Sequence, residues 1–105
     1  MILSLLLVIS AQDSRPVDNT YARISAYRTC VDGEVVRRAK GTEKNPEAIA
    51  QDSITACDQL ADAAYWNFLV VRSTLAPGPS RAEFVAGYRA AAERFADKAL
   101  KESVE

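Results

Sequence analysis

Apolar positions along this chain recur at intervals of three and four, the spacing of one face of an α-helix, and nowhere alternate over the length of a strand. The first stripe runs through Tyr21, Ile24, Tyr27, Val31, Val35 and Ala39 and stops at Gly41, with Asp18, Asn19 and Thr20 ahead of it as N-cap candidates. It predicts a helix over about 20–40. Asn45-Pro46-Glu47 then combines a capping side chain, a proline at the first helical position and an acid beside the positive helix end. The helix that starts there is expected to run over about 46–75, ending before Pro77-Gly78-Pro79. Ser80-Arg81-Ala82-Glu83 has the S-x-x-E form of a capping box and opens a third helix, about 81–103, with a stripe of Phe84, Val85, Tyr88, Ala91, Ala92, Phe95 and Ala99. These elements predict an all-α domain over 20–105, an antiparallel three-helix bundle with short connections.

Ahead of the domain, Ile2 to Ile9 is an apolar run broken only by Ser4 and followed by the small residues Ser10 and Ala11. That arrangement reads as a secretory signal peptide over 1–11, with 12–19 as a flexible mature N-terminus. The run is far short of the roughly 20 apolar residues that span a bilayer, so no stable membrane anchor is expected after cleavage. An exported protein, periplasmic or secreted, is the expectation.

Composition narrows the function. With 13 Lys+Arg against 14 Asp+Glu in 105 residues the net charge is −1, so the positive excess that phosphate backbones select is missing and nucleic acid is not an expected partner. The chain has no His, which removes the commonest acid/base at neutral pH and the commonest metal ligand. No catalytic residues, no cofactor and no metal are therefore expected, and the chain is not expected to be an enzyme. Alanine is abundant, which favours helices packed at short interaxial distance but leaves few large side chains for a core. Arg37, Arg38 and Lys40 crowd the end of the first helix, where cations complement the negative end of the dipole.

The two cysteines, Cys30 and Cys57, change the stability picture. The midpoint of their positions falls inside the turn between Gly41 and Asn45, so two antiparallel helices bring them to the same height. A bridge also needs Cα atoms about 5.5 Å apart, closer than ordinary helix packing allows unless neighbouring residues are small. Ala26 and Gly33 flank Cys30, and Ala50, Ala61 and Ala64 flank Cys57 on the helical wheel. A structural disulfide joining helices 1 and 2 is the expectation, with a redox pair as the competing reading; there is no C-x-x-C to lower a thiolate pKa. The runs Tyr27-Arg28-Thr29-Cys30, Pro46-Glu47-Ala48-Ile49-Ala50 and Ile54-Thr55-Ala56-Cys57 resemble the small exported two-cysteine helical hairpins of α-proteobacteria over about 21–72. The resemblance implies a fold and carries no activity.

Other constellations have structural explanations. Asp58 and Asp62, at i and i+4, have the spacing of paired carboxylates but lie on what reads as a solvated face. Tyr21, Tyr27, Tyr65 and Tyr88 could line a slot, although aromatic stripes at helical spacing more often form core. The exception is the run Ala63 to Val71, apolar almost all round. Trp66 falls opposite Cys57 on the wheel, with Leu69 and Val70 nearby, where a three-helix bundle has no further element to cover them. The expected function is a small exported interaction or structural module binding a protein partner, or a second copy as a homodimer, through Trp66, Leu69 and Val70. The alternative is a periplasmic carrier or chaperone-like protein that takes an apolar ligand or client into its aromatic core.

Overall fold

The computed structural model describes residues 20–72 and 78–104 of the chain; the expected signal peptide over 1–11 and N-terminal segment over 12–19 lie outside the described residues. The described residues form α1 (Ala22–Ala39), α2 (Pro46–Ala56), α3 (Asp58–Arg72) and α4 (Arg81–Val104), with no strand among them. The all-helical class is as expected. Among the described residues there are four helices where three were expected, because the second predicted helix is broken at Cys57.

Local chemistry sets most of the boundaries. Asn45 accepts hydrogen bonds from the N–H groups of Glu47 (2.8 Å) and Ala48 (3.1 Å), with Pro46 in the first turn, where its missing N–H costs nothing. The Lys44 ammonium donates to the Ala39 carbonyl at 3.0 Å and closes the end of α1. Ser80 and Glu83 form the reciprocal capping box, with 2.8 Å from the Ser80 N–H to Glu83 and 3.1 Å from the Glu83 N–H to the Ser80 hydroxyl. At the end of α1, Glu34 accepts from Arg37 (2.6 Å) and Arg38 (3.1 Å). The hydrogen bond from Arg37 is the main reason the Glu34 carboxyl is held below its usual range.

The break at Cys57 has no glycine or proline to announce it. Cys57 takes φ −102° and ψ 12°, its N–H reaches the Ser53 and Ile54 carbonyls at 3.2 Å each, and Leu60 N–H returns to the Cys57 carbonyl at 3.0 Å, a tightened turn between two α segments. Packing explains the break: α2 lies chiefly against α4 and also on α1, whereas α3 lies chiefly against α1. One straight helix could not serve both.

The core follows the predicted stripes. Tyr27, Val31, Val35 and Ala39 of α1 are buried against Ile49, Ala50 and Ile54 of α2, Ala61 and Ala64 of α3, and Phe84, Ala92 and Ala96 of α4. Phe84 is an aromatic hub, with ring centroids 5.1 Å from Tyr88, 5.2 Å from Phe68, 5.6 Å from Tyr65 and 6.2 Å from Tyr27.

The disulfide forms between Cys30 and Cys57 with Cα atoms 6.0 Å apart, and it ties α1 to the link between α2 and α3. Close approach is provided on one side only: Ala50, Ala61 and Ala64 are buried, but Ala26 and Gly33 are exposed. A Cβ added at Gly33 would meet nothing within 4 Å, so the expectation that this glycine permits close packing is corrected. A bridge of this kind belongs to oxidising surroundings outside the cytoplasm.

Candidate functional site

Two surfaces stand out from the packed core. The first is the outer face of α3. Its buried face is set by Ala61 and Ala64, and Trp66 lies two residues beyond Ala64, about 200° further round the helix. Trp66 is accordingly 64% exposed and Val70, one turn on, 71% exposed. Leu69 is half-buried and packs towards Gly78, so it forms the edge of this face rather than its centre. A shallow notch of about 340 Å³ beside the indole is lined by Arg23, Ala63, Asn67 and Val70.

Asn67, which the sequence reading passed over, fixes this face to the rest of the fold. Its side-chain oxygen accepts the N–H groups of Arg23 (3.2 Å) and Ile24 (3.1 Å), and its amide nitrogen donates to the Thr20 carbonyl at 2.8 Å. The N-cap position of α1 is Tyr21, which makes no side-chain cap. Of the expected caps, Asp18 and Asn19 lie outside the described residues, and Asn67 provides the cap from another helix. No local pattern announces a cap delivered from 43 residues away.

The second surface is a groove of about 600 Å³ between α1 and α4, closed at one side by Phe68 and Pro79. Phe84, Tyr88 and Phe95 of α4 and Val31 of α1 supply its apolar walls, and Gly87 and Ala91 leave a strip of α4 without bulk. Arg28, Asp32 and Glu83 stand in its lining. Burial raises the Tyr88 phenol pKa; the nearby Arg28 opposes this and Asp32 adds to it. Sequence reading took the α4 stripe as core, and Phe84 is; Tyr88 and Phe95 are only half-buried and line this groove.

The predicted tyrosine slot does not form as a unit. Tyr27 is fully buried, Tyr65 donates its hydroxyl to the Pro79 carbonyl at 2.8 Å, Tyr88 lines the groove, and Tyr21 stands apart, exposed. Asp58 and Asp62 are exposed, as read from the wheel, but both have a partner. Arg81, the first residue of α4, bonds to Asp62 and lies 3.4 Å from Asp58, so the pair pins the start of α4 onto α3. These contacts, the bond to Asp62 above all, raise the Arg81 pKa further. Asp97 pairs with Lys101 at 3.0 Å. Among the described residues no cluster of three metal-ligating side chains occurs, and no helix is long and apolar enough to cross a membrane.

No protein-family model, no curated protein and no solved structure matches this chain.

Proposed function

We propose that this chain is a small, disulfide-linked helical interaction module that works outside the cytoplasm and binds a protein partner through the α3 face centred on Trp66 and Val70. The observation that carries the reading is the exposure of these two side chains, 64% and 71%, on a rigid helix. Tryptophan is strongly enriched at binding hot spots because it offers a large stiff apolar area at little entropic cost. Arg23, beside the indole in the same notch, adds a guanidinium, another group that interfaces favour. Leu69 contributes at the edge. A second copy is the economical partner, since a two-fold axis through this face pairs indole with notch on both sides. Export fits the apolar Ile2–Ile9 run and the bridge at Cys30 and Cys57.

Trp66→Glu tests the reading, because an exposed position tolerates the change without unfolding. The parent is expected to self-associate in sedimentation across concentration, or to retain a partner from the exported fraction, and the variant to lose that association with its melting unchanged. A monomeric parent whose indole is shielded from quencher would make Trp66 intrachain core and sink the reading.

A further inference from the structure

We propose that the groove between α1 and α4 is a binding site for an uncharged, planar apolar molecule. Its volume of about 600 Å³ lies within the roughly 300–1,000 Å³ of small-molecule sites. The aromatic side chains of Phe68, Phe84, Tyr88 and Phe95 dominate its lining, which suits a ring that stacks or meets them edge to face. The lining holds one cation, Arg28, against two carboxylates, Asp32 and Glu83; Arg28 stands 3.8 Å from Asp32, and Glu83 accepts the Ser80 N–H at 2.8 Å. An anionic ligand would meet a surplus of carboxylates, and a charged ligand of either sign would give up hydration that the apolar walls do not replace, which is costly. An uncharged one has no such cost, and Tyr88 carries the one hydroxyl in the lining to orient it.

Planarity follows from the aromatic walls, against which a flat ring stacks or meets edge to face. Gly87 and Ala91 stand one turn apart on α4, and a Cβ added at Gly87 would meet nothing within 4 Å, so this strip leaves open space beside those walls. The groove shares no lining residue with the Trp66 notch, so either surface can fail its test independently.

The experiment is an amide NMR titration of the full chain with three probes of one shape: naphthol, uncharged near neutral pH, naphthoate and naphthylmethylammonium. Naphthol is expected to shift Gly87, Tyr88 and Ala91 saturably, with a dissociation constant of about 0.1–1 mM for a ligand of its size. Both charged probes are expected to bind at least tenfold more weakly. Gly87→Leu fills the open strip, removes a glycine from a helix interior, and is expected to weaken naphthol at least tenfold with no loss of thermal stability. Ala91→Leu, at an exposed position one turn on, is expected to repeat the block. Equal binding of all three probes, shifts confined to the Trp66 face, or binding unchanged in both variants would overturn the proposal. So would protection of Gly87 that grows with protein concentration, which would put a second copy in the groove.

Discussion

The side-chain oxygen of Asn67 in α3 accepts the backbone N–H of Ile24 at 3.1 Å and closes the N-terminus of α1 across 43 residues of sequence. The same amide holds Arg23 N–H and the Thr20 carbonyl, so three backbone groups depend on one side chain. Trp66 is its neighbour in α3, and Arg23, whose N–H Asn67 holds, lines the notch beside the indole.

Asn67→Ala is expected to lower stability by about 1–2 kcal/mol, the cost of a lost cap with its donors left unpaired, and Tm by roughly 4–8 °C for each kcal/mol. Amide exchange should quicken at Arg23 and Ile24 and stay unchanged at Ala50. Asn67→Asp keeps the acceptor for Arg23 and Ile24 and adds a negative charge at a helix N-terminus, but it sets a carboxylate oxygen against the Thr20 carbonyl, so it should recover only part of the loss. Equal protection at Ile24 in the parent and the alanine variant would show that the cap contributes nothing.

Opening the Cys30–Cys57 bridge releases a loop with a sequence separation of 27 and is expected to cost about 2–4 kcal/mol. Cys30→Ser, Cys57→Ser and the double variant should unfold at nearly the same urea concentration, because each breaks one shared bond. A Cys57→Ser variant much less stable than Cys30→Ser would mean that the Cys57 side chain, only 1% exposed, matters for packing as well as for the bridge.

Tyr27 is buried, its hydroxyl has no hydrogen-bond partner among the described residues, and burial raises its pKa above the ordinary 10.0. The folded chain therefore keeps this phenol proton to higher pH than the unfolded chain. The stabilisation that results is complete below pH 10.0 and is lost as pH rises through the elevated value. Tyr27→Phe should leave stability at neutral pH unchanged or higher by up to about 1 kcal/mol, since no bond is lost. Its stability should also fall less steeply between about pH 9 and 11. Urea unfolding of both proteins across that range is the check, and a large loss at neutral pH would reveal a partner for the hydroxyl.

Arg81 sits at the positive end of α4, an unfavourable place for a cation, and is held there by Asp62 and Asp58. Because all three side chains are exposed, salt should screen the cluster. Arg81→Gln is expected to lower Tm slightly at low ionic strength, with the difference from the parent vanishing at about 1 M salt. A difference independent of salt would mean that Arg81 acts by packing.

Helix existence and most helix ends were legible in the sequence because their causes are local. Asn45-Pro46, Ser80 with Glu83, and the three-and-four spacing of Tyr27, Val31 and Val35 act within one or two turns, where sequence distance and spatial distance agree. The Cys30–Cys57 pairing was legible too, since a short turn between antiparallel helices makes height a matter of counting. The outward direction of Trp66 was read by counting from Cys57 along one continuous helix; the helix breaks at Cys57, and Trp66 is nevertheless exposed, opposite the buried Ala61 and Ala64 of its own segment.

What tertiary structure decided has no local cause. The break at Cys57 arises because α2 and α3 answer to different neighbours, α4 and α1, while their residues alone favour one continuous helix. Asn67 caps a helix far from it in sequence, and Arg81 draws Asp58 and Asp62 across a loop, so the role of each depends on where another helix lies. The groove is likewise a property of how the helices pack: the α4 stripe carries Phe84 into the core and leaves Tyr88 and Phe95 half outside, facing residues of α1 and Phe68 of α3. Sequence by itself determined which residues form helices and which face of each is apolar, because those are short-range energies. The partner each face meets, and which apolar residues are left without one, depended on the packing of all the helices at once.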